Sequence, residues 1–230
     1  MTAFDYQVIR RPRRRTASIS VKPDCTVRIL VPASLSNAQI TELVQQKRRW
    51  IQNKLAHFEA ISENEKKREY VWGESFTYLG RNYRLKVESG SVKAVKLVNG
   101  RLSVQVPVSV HQRDRYVQAA LVEWYRDHAL EKLQEKVERY AKVVGVSPSS
   151  VNIKTFSGRW GSCSSKGHIQ FNWKVIIAPN RIVDYVVVHE LCHLHEHNHS
   201  PEYWRCVERV LPDYRECREW LKENGDTLEV

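Results

Sequence analysis

Two histidines four residues apart, with a glutamate directly after the first, form the group in this chain best suited to chemistry: His189, Glu190 and His193. On a helix, positions i and i+4 lie on one face a turn apart, so both imidazoles reach a single ion. Glu190 stands about 100° around the helix from His189, where its carboxylate can address a water on that ion without ligating the ion. Two imidazoles for Zn²⁺ and a carboxylate for proton transfer make up the inventory of metal-assisted hydrolysis. The bland alternative, satisfied core histidines beside a solvated glutamate, is weakened by the residues that follow.

A catalytic zinc takes three protein ligands and keeps one position open. Residues 195–199 read His-Glu-His-Asn-His and offer three more imidazoles. His197 continues the four-residue row, but it stands about 12 Å of helix rise from His189 and cannot share an ion with both others on a straight helix. The third ligand must therefore follow a reversal of the chain. Asn198 can adopt the left-handed conformation that ends helices, and Ser200-Pro201 has the form of an N-cap with proline at the first helical position. His199 lies at this reversal and is the expected third ligand, with Glu202 and Glu208 as carboxylate alternatives. His195 and His197 are left for exposed, outer or substrate-side positions. A developing oxyanion needs a further stabiliser; Tyr203, His197 and Arg159 are the candidates.

These side chains need a scaffold, and the hydrophobic pattern supplies one. Residues 5 to 32 read as two strands with a turn at Pro23-Asp24. Ser36 then N-caps an amphipathic helix through Ile40, Leu43, Val44, Ile51 and Leu55. After a polar stretch, Ser62 to Glu69, strand-like segments run from Phe76 to Val106, and Asn99-Gly100 is a hairpin signal. A long helix is expected from Gln112 to Val144, ended by Gly145. Residues 151 to 177 are strand-like. A helix follows over about 179 to 195, its stripe of Val183, Val187, Leu191 and Leu194 facing a core. Asp213 and Glu216 imitate a capping box for a last short helix. Strands, helix, strands, long helix, strands, helices is the order of an α+β fold. Residues 1–108 are expected to form a β-rich N-terminal domain with one helix, and residues 109–230 a catalytic domain.

Composition narrows the class. Hydrophobic residues make up 42% of the 230, with seven Trp and ten Tyr, which is globular rather than disordered. Five scattered cysteines without a Cys-x-x-Cys pair fit reduced thiols in a cytoplasmic protein better than a disulfide scaffold. No apolar run suits a signal peptide or a membrane span. The net charge of +11 is concentrated in Arg10-Arg11-Pro12-Arg13-Arg14-Arg15, Lys47-Arg48-Arg49 and Lys66-Lys67-Arg68. Such runs attract nucleic acid or nucleotides, or simply form solvated faces and protected strand edges.

Three stretches carry a resemblance to a known family. Arg159-Trp160-Gly161-Ser162-Cys163 is followed by Ile169 and Asn172-Trp173. Asp184 through Leu194 holds the two histidines, and Asn198-His199-Ser200 is followed by Tyr203-Trp204, where the family usually has Phe-Trp. On these residues, together with the arginine-rich first strand, Trp50-Ile51 and Leu79 to Tyr83, the chain resembles the YgjP-like metal-dependent hydrolases, relatives of the WLM and SprT-like zincins. The resemblance implies a zincin-like core with one zinc ion on His189, His193 and His199, and Glu190 as the catalytic residue. The ligand spacing also matches the metzincins, but Glu196 replaces their glycine and no Met-turn is evident, so that assignment is rejected.

Three functions are consistent with this inventory. A metallopeptidase acting on a peptide or protein leads. A nucleoside triphosphate pyrophosphatase would use the same ion, although no phosphate-cradling glycine loop is present. A basic nucleic-acid-binding module with little turnover is the third; an intact Glu190 argues against it, because a purely structural zinc has no need of a base.

Overall fold

The computed structural model describes residues 4–22, 24–64, 68–91, 93–156 and 158–230. The chain divides into two compact units, Met1–Arg68 and Glu69–Val230.

In the first unit, β1 (Tyr6–Arg11) runs parallel to β3 (Val27–Pro32), and β2 (Ser18–Val21) pairs with β3 antiparallel. Three strands stand where two were expected, because the arginine run folds back on itself: the Arg14 guanidinium donates to the Thr16 carbonyl at 2.6 Å and to Ser18 Oγ at 2.7 Å. Alternate residues Val27, Ile29 and Val31 of β3 are buried, as strand geometry requires. They meet Ile40, Val44 and Ile51 of α1 (Asn37–Asn64). Ser36 caps this helix reciprocally: its Oγ accepts from the Gln39 N–H at 3.2 Å, and Gln39 Oε1 accepts from the Ser36 N–H at 3.0 Å. Arg10 donates to Asn37 Oδ1 at 2.8 Å and to the Ala33 carbonyl at 3.1 Å, tying β1 to the start of α1. Part of the basic run is therefore engaged locally. In the expected turn at Pro23-Asp24, Pro23 lies outside the described residues, as do Lys66 and Lys67 of the third basic run.

The second unit begins with a four-stranded sheet in the order β4-β5-β7-β6, built from β4 (Ser75–Tyr78), β5 (Arg81–Ser89), β6 (Lys96–Val98) and β7 (Arg101–Val106). Asn99 and Gly100 both take positive φ and close the β6–β7 hairpin as expected. The long helix α2 (Arg113–Val144) stops at Gly145. A smaller sheet follows in the order β8-β10-β9, from β8 (Ser150–Lys154), β9 (Gly161–Cys163) and β10 (His168–Asn172). Residues Trp173–Ile177, expected as strand, instead form a 3-10 turn that leads into α3 (Asn180–Cys192). The helices α4 (Pro201–Val210) and α5 (Tyr214–Asn224) complete the unit. Among the described residues, no helix is long and apolar enough to cross a membrane.

The boundary between units falls well before residue 108 for a packing reason. Leu85, Leu102, Val104 and Val106 of the four-stranded sheet share one core with Val117 and Leu121 of α2 and with Val183 and Val187 of α3. Helix α3 is buried on more than the expected stripe: Ile182, Val186 and Val188 are also inside. A helix that is apolar nearly all round sits at the centre of its domain. Of its two buried acids, Asp184 and Glu190, the first is held from α2, where Lys136 Nζ donates to Asp184 Oδ1 at 2.6 Å and Arg139 at 3.0 Å. Lys136→Met is expected to lower stability by about 2–3 kcal/mol, because the buried carboxylate loses its buried cation and keeps only the exposed Arg139 and a 3.4 Å bond from Asn180. Chemical denaturation with unchanged m-value would show it.

Candidate metal centre

The chain leaves α3 immediately after Cys192, with His193 as its C-cap residue in helical conformation. Backbone bonds from Leu194 to Leu191 and from His195 and Glu196 to Cys192 tighten the exit. The helix thus ends before residue 195, and the reversal is made without positive φ at Asn198, in contrast to the left-handed turn expected there. Ser200 then caps α4, its Oγ accepting from the Tyr203 N–H at 3.2 Å, with Pro201 behind it. Asp213, by contrast, makes no side-chain cap for α5.

This path brings His189, His193 and His199 together, with one ring nitrogen from each lying within 4.8 Å of the others. Nε2 of His189 and Nε2 of His199 stand 3.3 Å apart, close to the roughly 3.3 Å that separates two tetrahedral ligands at zinc–nitrogen bond length. Each ring is oriented by a neighbour. Nδ1 of His193 lies 3.1 Å from the Glu196 carbonyl, which as acceptor leaves Nε2 without a proton. The Tyr203 ring stacks on His193 at 4.6 Å between centroids, and Trp204 stacks on His199 at 5.5 Å. The Tyr203 hydroxyl donates to the His189 carbonyl at 3.0 Å. Burial pushes His189 down to about 3, helped by His193, His199 and Arg218; His193 and His199 are lowered chiefly by the same desolvation. Each shift favours the neutral imidazole, the form in which a histidine can hold a metal ion. Nδ1 of His189 is buried without a partner among the described residues. Three ring nitrogens within 4.8 Å of one another, one pair of them at tetrahedral spacing, fit a borderline-soft divalent ion.

Glu190 is 4% exposed, and burial pushes its carboxyl up to about 8, with Arg159 pulling the other way. It faces β9, the edge strand of the small sheet. A Cβ at Gly161 would come within 2.4 Å of Glu190 Oε1, so only glycine lets this strand approach. Gly161→Ala is expected to displace Glu190 and reduce turnover about 100-fold, with bound metal unchanged by mass spectrometry.

The remaining candidates separate. The Tyr203 hydroxyl is occupied by the His189 backbone, and Tyr203 is fully buried. His197 is exposed and outside the three-imidazole group, while His195 Nε2 lies 3.0 Å from the Val144 carbonyl at the end of α2. Glu202 pairs with Arg205 at 2.6 Å and Glu208 with Arg215 at 3.3 Å, both away from the imidazoles. Arg159 lines a cavity of about 280 Å³ beside Glu190 and His189, together with Trp160, Tyr185, Arg218 and Leu221. Trp173 is buried, its indole N–H donating to Thr155 Oγ1 at 3.1 Å, whereas the half-buried Trp160 packs against the same core and also forms a wall of this cavity. Arg218 and Leu221 come from α5, which no functional motif marked; the signal for that helix in the sequence was the capping-box pattern of Asp213 and Glu216.

A crystal structure titled as the metallopeptidase zymogen of Pyrococcus abyssi abylysin is 26% identical, over 39% of this chain and 93% of that one, with a TM-score of 0.36. No curated protein matches the chain. The family described as YgjP-like, metallopeptidase domain, matches residues 15–224, and with nearly the whole length covered the chain belongs to that family.

Proposed function

We propose that this protein is a zinc-dependent metallopeptidase in which His189, His193 and His199 hold the ion and Glu190 is the general base. The observation that carries the reading is the gathering of three imidazole nitrogens within 4.8 Å of one another beside the buried carboxylate of Glu190. A bound Zn²⁺ supplies Lewis acidity and lowers the proton affinity of water at its open position.

The protein's own part is then positional. Glu190 takes the proton of the attacking water and returns it to the leaving amine; a carboxylate in a dry site is a stronger base than one in water, and a nearby cation draws its pKa back toward neutrality. Tyr203 and Trp204 keep the His193 and His199 rings from turning away. Of the three candidate stabilisers, Arg159 alone has a position that supports the role, since it lines the cavity with Glu190. The edge strand β9 offers backbone groups to an extended peptide, which favours an amide substrate over a phosphoanhydride.

The test is hydrolysis of a denatured protein in H₂¹⁸O by zinc-loaded protein, with products read by mass spectrometry. One ¹⁸O in each new carboxyl terminus, abolished by chelation and restored by zinc, is the expected result. Absence of new termini, together with release of pyrophosphate from nucleoside triphosphates under the same conditions, would overturn the peptidase reading.

A further inference from the structure

The cavity beside Glu190 has features that the chemistry of the metal centre does not require. At about 280 Å³ it falls just under the roughly 300–1,000 Å³ of small-molecule pockets, so it is the size of a side chain rather than of a nucleotide. Its lining is apolar at Trp160 and Leu221 and cationic at Arg159, from the segment before β9, and at Arg218 and Lys222, one turn apart on α5. Among the described residues, Glu190 is the only acid that lines it. The Trp160 wall is held from behind, because the indole stands where a Cβ on Gly225 would touch it at 3.0 Å.

The two guanidinium groups are placed in a similar way. Arg159 lies over the Phe156 ring at 4.9 Å, and Arg218 lies over Trp204 at 5.0 Å. Stacking occupies the face of a guanidinium and leaves its edge donors free. Among the described residues, neither Arg159 nor Arg218 has a carboxylate within ion-pair distance. Lys222 has only Glu219, three residues away on the same exposed face. An apolar wall with planar donors beside it suits a short alkyl stem that ends in a carboxylate.

We propose that this cavity is a specificity pocket for an acidic side chain, glutamate in particular, of the peptide substrate. The proposal rests on the metallopeptidase reading above, and it assigns to Arg218 and Lys222 the task of reading substrate charge. The two arginines and the lysine act on binding, while Glu190 and the imidazoles act on the bond.

The test uses zinc-loaded Glu190→Gln protein, which binds without turning over, and alanine-based peptides carrying one glutamate, glutamine or lysine at each position in turn. Fluorescence anisotropy is expected to show one position at which glutamate binds about tenfold or more tighter than glutamine, the scale of a charge-assisted hydrogen bond. Arg218→Gln and Lys222→Met should each reduce that preference, and Arg218→Glu should transfer it to lysine. Zinc content is measured in every variant. Because Arg218 also stacks on Trp204, Lys222→Met, which leaves that stack untouched, decides the matter should Arg218 variants lose metal.

Equal binding of the glutamate and glutamine peptides at every position overturns the pocket. So does a preference that survives Lys222→Met and Arg218→Gln unchanged, or tighter binding of a nucleoside triphosphate that the same variants abolish. The wild-type enzyme separates this proposal from the one beneath it. Cleavage of peptides without acidic preference removes the pocket and keeps the peptidase; tight binding of the glutamate peptide without cleavage keeps the pocket and removes the peptidase.

Discussion

Purified His199→Ala protein is expected to lose its zinc, as is His189→Ala, while wild type and His197→Ala hold close to one ion per chain. The physical case lies in the spacing of the ligands. Nε2 of His199 stands 3.3 Å from Nε2 of His189 and completes the group with His193. Two remaining imidazoles cannot satisfy a site that needs three protein ligands. The loss in affinity should exceed the roughly 10- to 100-fold that follows removal of an outer-shell partner. His197 is the internal control, since it is exposed, lies two residues away and stays outside the group. Mass spectrometry of the native protein reads all four proteins directly. Retention of zinc by His199→Ala with loss from His197→Ala would show that the site is redrawn around the other histidine. A fall in melting temperature on chelation, present in wild type and absent in His199→Ala, gives an independent reading, because an ion bound only by the folded state stabilises it.

Glu190→Gln should keep the zinc and lose the turnover. Glutamine preserves the shape of a side chain that Gly161 contacts closely, and it removes only the ability to accept a proton. A missing general base costs about 10²- to 10⁴-fold in turnover. Peptide binding should survive, so the loss appears in kcat rather than KM. The same substitution has a stability signature in metal-free protein. Burial raises the Glu190 carboxyl from 4.5 to about 8, so between those values the folded state holds a proton that the unfolded state has released. Stability is therefore lost as pH rises through that window, and the metal-free wild type should melt lower at pH 8 than at pH 5 by more than Glu190→Gln does. Equal pH dependence of the two proteins would mean that Glu190 ionises freely and is not held in a dry site.

Much of the site was legible because it is local. The four-residue spacing of His189 and His193 needs only a helix to place both imidazoles on one face, and α3 provides it. The third imidazole must follow a reversal because a straight helix carries His197 too far along its axis, and the Ser200-Pro201 start signal acts within a single turn. The reversal itself was misjudged in detail: tight bonds from Leu194 and His195 bend the chain with no left-handed residue. Such a bend is specified by what packs around it, here Tyr203 and Trp204 of the next helix, and not by the propensity of Asn198.

The rest needed the tertiary structure. Nothing in the residues of β9 announces that Gly161 lies against Glu190, or that Trp160 turns toward a cavity while Trp173 turns into the core. These are contacts between segments far apart in sequence, and side-chain type alone does not choose between two apolar faces. The sheet before α2 shares its core with α3, so the compact units part at Arg68 rather than at the sheet-to-helix transition. Helix α5 is the clearest case. Its Arg218 and Lys222 read as an ordinary solvated face on a short amphipathic helix, and only the packing of α5 on α3 sets them in the lining of the cavity beside Glu190. What the chain order alone settles is the candidate imidazoles, their helical spacing and the elements that carry them, because each depends on neighbours within a turn or two. Which strand approaches the carboxylate, how its burial shifts the pKa, and which charges line the cavity were decided by long-range packing, where desolvation and close approach act between residues that the chain order keeps apart.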